Sequence, residues 1–87
     1  MRPVYTRHFL RSYRKLPERA QKQFKKQLGY LKENPQHPSL RLEKVDRERG
    51  IWAIRVTRGY RAAFIMEGGL YIFLEIGEHN KVLKKVG

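Results

Sequence analysis

The sequence contains no cysteine, so neither a disulfide framework nor a thiolate metal site is available to it. It also lacks an apolar run near the ~20 residues that a membrane-spanning helix needs, and it has no apolar segment of the signal-peptide kind. We therefore expect a soluble cytoplasmic protein with no membrane partner. The 87 residues suffice for one domain with a modest core, and we assign 1–87 to a single domain.

Acidic residues are scarce. Eight Asp and Glu stand against twenty Lys and Arg, which gives a formal net charge of +12. Such a field attracts polyanions, namely nucleic acid, an acidic protein or an anionic membrane surface. The charges on the predicted helices are nearly all positive, which favours docking on a polyanion over an ordinary solvated face.

The residues for several common kinds of active site are missing. The three histidines (His8, His37 and His79) do not have the spacing of metal ligands, and the few carboxylates are scattered. Ser12 falls within a predicted helix and Ser39 follows a proline, so a serine triad is absent. The chain also has no glycine-rich phosphate loop. We predict neither a metal nor a cofactor.

Residues 51 to 79 hold three runs of β-branched and aromatic residues, separated by short breaks that contain glycine. This pattern predicts an antiparallel meander. Because side chains alternate across a strand, each run divides into two faces. One face is apolar in all three runs and carries Trp52, Ile54, Val56, Ala62, Phe64, Met66, Leu70, Ile72, Leu74 and Ile76.

The register of the two hairpins decides what lies on the opposite face. Pairing Val56 with Ala62 keeps the apolar face intact and needs a three-residue loop or a bulge, whereas a two-residue turn would bring Arg61 onto it. The same reasoning pairs Met66 with Leu70 across the second break. The opposite face then carries Arg55, Arg61, Tyr71, Phe73 and Glu75, with His79 just past the last strand.

Two helices precede the meander. Thr6 is the predicted N-cap of a helix from about Arg7 to Leu16. Pro17 suits the first turn of a second helix that runs to about Glu33. Apolar stripes on the two helices form a seam over the apolar sheet face, and they consist of Phe9, Tyr13, Leu16, Ala20, Phe24, Leu28 and Leu31, with Gln27 as an alternative member.

The remaining segments complete an α+β fold of order β-α-α-β-β-β-β, with the two-helix hairpin packed on one face of an antiparallel sheet. Val4 and Tyr5 predict a short first strand. The alternation from Leu40 to Val45 predicts an edge strand or an extended arm. The segment 80–87 predicts a last short strand or a helical turn.

The face opposite the helices holds the candidate functional residues. Arg55 and Arg61 carry planar guanidinium groups that match phosphate geometry, although a cross-strand pair between Arg61 and Glu75 would make that arginine structural. Histidine titrates near neutrality, so His79 can transfer a proton in RNA cleavage. By itself, a histidine after a strand is as easily a loop residue.

Two aromatic residues share that predicted face. Tyr71 and Phe73 would offer stacking platforms for unpaired bases if the face is open. If the C-terminal tail covers the face, both rings instead pack beneath it, and this alternative is the stronger one for Phe73.

Four segments taken together resemble the RelE/ParE superfamily of bacterial toxins: HPSLR at 37–41, IWAIRV at 51–56, YR at 60–61 and IGEHNKVL at 76–83. The sequence looks most like the RelE, YoeB and HigB branch. That resemblance implies a RelE-like fold and a small basic ribonuclease that cuts mRNA, usually on the ribosome. It also implies an antitoxin that holds the enzyme inactive.

The resemblance implies roles for individual residues. Arg61, which follows Tyr60, matches the phosphate-contacting arginine of the family, and Arg55 matches a second strand arginine. His79 matches the histidine that many members use as general acid or base. The predicted RNA contacts are Arg41, Lys44, Lys81 and Tyr71.

Two departures from the family pattern keep other functions open. Asn80 stands where an acidic residue often follows the histidine, and Leu83 stands where Tyr or Phe is common. The leading prediction is a metal-independent mRNA endonuclease of a type II toxin–antitoxin system, with an acidic antitoxin, mRNA and the ribosome as partners. The alternatives are a non-catalytic inhibitor of DNA gyrase, as in the ParE branch, and an inactive nucleic-acid-binding relative.

Overall fold

The computed structural model describes residues 1–86, with side chains as far as Lys84. The elements are β1 (Arg2–Tyr5), α1 (Arg7–Arg14), α2 (Glu18–Glu33), a 3₁₀ turn (Pro38–Leu40), β2 (Glu43–Asp46), β3 (Ile51–Arg55), β4 (Tyr60–Glu67), β5 (Leu70–Glu78) and α3 (His79–Val86). The α+β class and the predicted element order are confirmed. The tail is a helix rather than a strand, and Gly87, which belonged to that predicted segment, lies outside the described residues.

The five strands form one sheet in the order β1-β5-β4-β3-β2. The pairs from β2 to β5 are antiparallel and β2 lies at an edge, as predicted. β1 instead pairs parallel with β5, so the sheet is mixed and the all-antiparallel prediction is wrong for this pair. The helical hairpin carries the chain from β1 to the far edge of the sheet, which allows the first and last strands to lie side by side.

The first hairpin, between β3 and β4, places Ile54 opposite Ala62 and closes with the backbone N–H of Val56 donating to the Tyr60 carbonyl at 2.9 Å. The predicted pairing of Val56 with Ala62 is therefore wrong by two residues. A shift of two preserves the face of every side chain. The predicted faces of β3 and β4 are accordingly correct.

The second hairpin, between β4 and β5, differs from its prediction by one residue. Met66 lies opposite Tyr71, and the turn consists of Gly68 and Gly69, both with positive φ as a type I′ turn requires. This register turns Tyr71 and Phe73 toward the helices. A β-bulge near the middle of β5 then restores the predicted faces, so that Ile76 lies opposite Ala62.

The main core lies between the helices and the sheet. Phe9, Phe24 and Phe73 pack together with ring centroids 5.3–5.5 Å apart. The Thr6 hydroxyl accepts from the Phe9 backbone N–H at 3.1 Å, which confirms the predicted cap. On the opposite face, Val82 of α3 covers Ile51 and Ala63 in a second, smaller cluster. Across residues 1–86 no helix is long and apolar enough to span a membrane.

Gly29 lies in the exposed part of α2, and a Cβ built there would meet nothing within 4 Å. Replacing it with alanine is expected to raise the free energy of unfolding by about 0.5–1 kcal/mol, because alanine loses less backbone entropy in a helix. Urea unfolding measures the change. Gly68→Ala is the matched comparison and should destabilise, since Gly68 has φ +56°. A destabilised Gly29→Ala variant would contradict the open surroundings of Gly29.

Candidate functional site

One end of the sheet brings the two predicted arginines and the histidine together. Arg55 and Arg61 lie directly opposite each other on β3 and β4, and Arg61 lies opposite Gly77 on its other side. α3 begins at His79, whose backbone N–H donates to the Gly59 carbonyl at 2.8 Å. The histidine is thereby anchored to the turn that joins the two arginine-bearing strands.

The guanidinium of Arg61 is held by that same turn. Its Nη1 donates to the carbonyl of Thr57 at 3.1 Å and to that of Tyr60 at 3.0 Å. Within residues 1–86, Nε and Nη2 donate to no protein acceptor. Since arginine has five N–H donors, the pre-positioned group keeps donors for an anion.

The surroundings of Arg61 are rich in positive charge. Burial lowers the pKa of Arg61 below its ordinary value, and the neighbouring cations of Arg55 and Arg41 act in the same direction. Glu43 lies on β2 opposite Ala53 of β3, and its carboxylate raises the pKa of Arg61. Arginine stays protonated despite such a shift. One carboxylate among three guanidinium groups leaves an excess of positive charge that suits a phosphate.

Glu75 is not the partner of Arg61, and that predicted pair is wrong. Glu75 lies opposite Ala63 and turns toward α1, where it accepts from the Ser12 hydroxyl at 3.0 Å and forms an ion pair with His8. It is 5 % exposed. The register of β5 is the reason: the two-residue turn shifts the strand by one residue and the bulge shifts it by one more, so that Arg61 lies opposite Gly77.

Tyr71 does not lie on the open face, so its predicted contact with RNA bases is wrong. It is 3 % exposed, its ring packs edge-on against Phe64, and its hydroxyl donates to the Leu31 carbonyl at 3.4 Å. Burial raises the pKa of Tyr71. Phe73 is fully buried in the same core. Neither ring is accessible to a nucleotide.

The other predicted contacts are not all at the arginine end. Arg41 lies close enough to influence Arg61 electrostatically. Lys44 is placed elsewhere, with its Nζ 5.2 Å from the ring centre of Trp52, a residue that packs against the helix-side core. Lys81 is exposed in the first turn of α3, and its Nζ is 3.9 Å from Glu78. The structure therefore separates Lys44 from the arginines.

Gln27 is a positioning residue that the sequence indicated only as an alternative member of the seam. It is 3 % exposed, and its Nε2 donates to the Arg55 carbonyl at 2.8 Å and the Ser39 carbonyl at 2.9 Å. This amide fixes α2 to the end of β3. The one signal in the sequence is a polar residue at a helix position where the apolar stripe predicts an apolar one.

Replacing Gln27 with alanine is expected to lower the free energy of unfolding by about 1–3 kcal/mol, because carbonyls at the end of β3 lose their donor. Chemical denaturation measures this loss. Lys26→Ala, on the exposed side of the same helix, should change stability by no more than about 0.5 kcal/mol. Equal stability of the two variants would mean that the amide does not fix the strand.

Over residues 1–86, no group of three or more His, Asp or Glu side chains comes together as a metal site. On the His79 ring, Nδ1 is 3.2 Å from Oδ1 of Asn80. This end of the sheet offers the guanidinium groups of Arg55 and Arg61, which lie on opposed positions, and the imidazole of His79, whose backbone is bonded to the turn between their strands.

No protein-family model matches the sequence, and no curated protein matches it significantly. Solved structures do. The YoeB/ParE toxin from Agrobacterium tumefaciens is 17% identical with a TM-score of 0.74, and the match covers 91% of this chain and 99% of that chain. A chain of the RelB–RelE antitoxin–toxin complex from Methanococcus jannaschii is 14% identical with a TM-score of 0.75, and the match covers 97% of this chain and 99% of that chain.

The YoeB dimer from Staphylococcus aureus is 12% identical, with a TM-score of 0.76, and the match covers 91% of this chain and 97% of that chain. All three matches extend over nearly the whole of both chains. The protein therefore has the fold of the RelE/ParE toxins, and the resemblance read from the sequence is confirmed at the level of the fold.

Proposed function

We propose that this protein is the toxin of a type II toxin–antitoxin system and cuts ribosome-bound mRNA without a metal ion. The observation that carries the proposal is the opposition of Arg55 and Arg61 at the end of the sheet where His79 is anchored. The toxin fold and the net charge of +12 support it. A metal is unnecessary in this mechanism because the attacking nucleophile belongs to the RNA.

In the proposed reaction, the ribose 2′-oxygen attacks the adjacent phosphorus and the 5′-oxygen of the next nucleotide leaves. The products are a 2′,3′-cyclic phosphate and a 5′-hydroxyl. His79 takes the proton from the 2′-hydroxyl, and Lys81 or the protonated His79 supplies one to the leaving oxygen. Arg61 and Arg55 stabilise the negative charge that develops on the phosphorane.

The contact between His79 and Asn80 supports the role of a base. In the proposed reaction Nδ1–H donates to Oδ1 of Asn80, which lies 3.2 Å away, because an amide oxygen only accepts hydrogen bonds. Nε2 of the neutral ring then carries the lone pair that accepts the ribose proton. Asn80 thus orients the ring, although it lacks the charge of the acidic residue that often follows the histidine in the family.

An acidic antitoxin is the proposed protein partner. Solved structures with this fold include toxin–antitoxin complexes, among them the RelB–RelE complex from Methanococcus jannaschii and the heterotetrameric YoeB–YefM complex from Staphylococcus aureus. The strong positive charge of this chain favours an acidic segment that covers the Arg55/Arg61 end or displaces α3.

The test is to induce the protein in cells and to incubate it with RNA, both alone and with translating ribosomes. The proposal expects growth arrest together with mRNA fragments that end in a cyclic phosphate, and cleavage in the ribosome sample far exceeding that with RNA alone. Growth arrest with intact mRNA and inhibited gyrase would instead establish the non-catalytic alternative. RNA binding without arrest or cleavage would indicate an inactive relative.

A further inference from the structure

A second basic feature adjoins the candidate site. A cleft of about 560 Å³ lies between α2, the 3₁₀ turn and the end of β3. Four arginines line it: Arg19, Arg41, Arg55 and Arg58. Its remaining lining residues include no carboxylate. Across residues 1–86 none of these four guanidinium groups forms an ion pair with an acidic side chain.

The cleft has a fixed frame. The buried Gln27 amide joins its helical wall to its strand wall through the Arg55 and Ser39 carbonyls. Arg41 has φ +48°, a backbone conformation that glycine or asparagine adopts more readily. This conformation ends the 3₁₀ turn and leaves Arg41 among the residues that line the cleft.

The cleft and the candidate site form one continuous cationic surface. Arg55 lines the cleft and also lies directly opposite Arg61 on the neighbouring strand, so it belongs to both. Arg41 lines the cleft as well and acts electrostatically on Arg61. A single phosphodiester carries one negative charge, which Arg55 and Arg61 together already exceed. Arg19 and Arg58 extend the surface beyond what the scissile phosphate needs.

We propose that this cleft binds a second phosphodiester of the RNA strand, next to the scissile phosphate, with Arg19 and Arg58 as its additional ligands. The inference rests on the proposed function, since it assumes that the strand passes Arg61. Backbone phosphates are the ligand of choice, because the cleft offers forked cationic donors and no aromatic ring on which a base would stack.

The test uses a fluorescent RNA of about eight nucleotides with 2′-O-methyl groups throughout, which binds but is not cleavable. Fluorescence anisotropy between about 50 and 200 mM salt gives the affinity and its salt dependence. The double variant R19Q/R58Q is expected to bind about tenfold more weakly. Its log–log salt slope should fall by about 0.7, the value for one phosphate contact to a single strand.

The matched control is R11Q/R14Q, which removes the same charge from exposed positions on α1, outside the cleft. It should weaken binding by less than about twofold and leave the slope unchanged, because salt screens charges that make no contact. Equal effects of the two double variants, or parental binding by R19Q/R58Q, would overturn the inference, with thermal melts confirming that all variants fold.

Failure of the proposed function is separable from failure of this inference. A parent that binds the uncleavable RNA but never cuts the ordinary one refutes the nuclease and leaves the cleft to be judged by the binding data. A parent that cuts RNA while R19Q/R58Q binds like the control refutes the cleft alone. A parent that binds none of the uncleavable RNA overturns this inference and leaves the nuclease to be judged by cleavage on ribosomes.

Discussion

Arg61→Ala is expected to abolish RNA cleavage and growth arrest while the protein remains folded. Removing a pre-positioned donor to a developing oxyanion costs about 10²–10³-fold in kcat, and Arg61 supplies both a donor fork and a positive charge. Stability should change little, because the side chain lies at the end of the sheet and its Nη1 bonds only turn carbonyls. No buried carboxylate loses a partner, since Glu75 pairs with His8.

The comparison variant is Arg61→Lys, which keeps the charge and removes the planar fork. If the fork is what holds the phosphate, lysine should restore only a small part of the activity. RNA cleavage, growth arrest and thermal melts are measured side by side for the parent and both variants. Full toxicity of Arg61→Ala, with a melt like that of the parent, would place the site elsewhere.

The arginine end of the sheet was predictable from the sequence because the predicted register of β3 and β4 was wrong by two residues, which leaves every side chain on its correct face. Val56 and Ala62 were paired two residues out of place, yet Arg55 and Arg61 stayed together on the face opposite the helices. The helical hairpin was equally predictable, since the Thr6 cap and the apolar stripe are local sequence patterns. Local signals of this kind need no knowledge of the rest of the chain.

The prediction for Tyr71 was wrong because the predicted register of β4 and β5 was off by one residue, which moves a side chain to the other face. Gly68-Gly69 is a two-residue turn sequence, and a three-residue loop was predicted in its place. The bulge that later corrects the faces has no clear mark in the sequence. This one-residue error placed two buried aromatic side chains on the open face. The predicted base-stacking platform was a result of that error.

The remaining features depend on contacts between distant segments. The parallel pairing of β1 with β5 joins the two ends of the chain. Gln27 reaches Arg55 from 28 positions away, and Glu43 approaches Arg61 from the edge strand. A pattern along the chain does not encode such distances. The resemblance to a toxin family supplied the order of elements and the candidate residues, and it did not supply these contacts.

His79→Ala is expected to slow cleavage by about 10²–10⁴-fold, the usual contribution of a general acid or base. The histidine stands at the start of α3, half-exposed, with its backbone fixed to Gly59 and its ring beside Asn80. Truncating the ring leaves that backbone bond in place. The melting temperature should therefore stay near that of the parent, so that the lost rate reports on chemistry.

Two readouts separate proton transfer by His79 from a merely structural role. Added imidazole should restore part of the activity of His79→Ala, because a free base can occupy the space of the missing ring. The acidic limb of the pH–rate profile should also flatten, since histidine titrates near neutrality and alanine does not. Glu43→Gln is the informative comparison, because Glu43 is the carboxylate that acts on Arg61. If Glu43→Gln removes the acidic limb and His79→Ala retains it, the base is Glu43, and His79 serves only to anchor α3 against the turn.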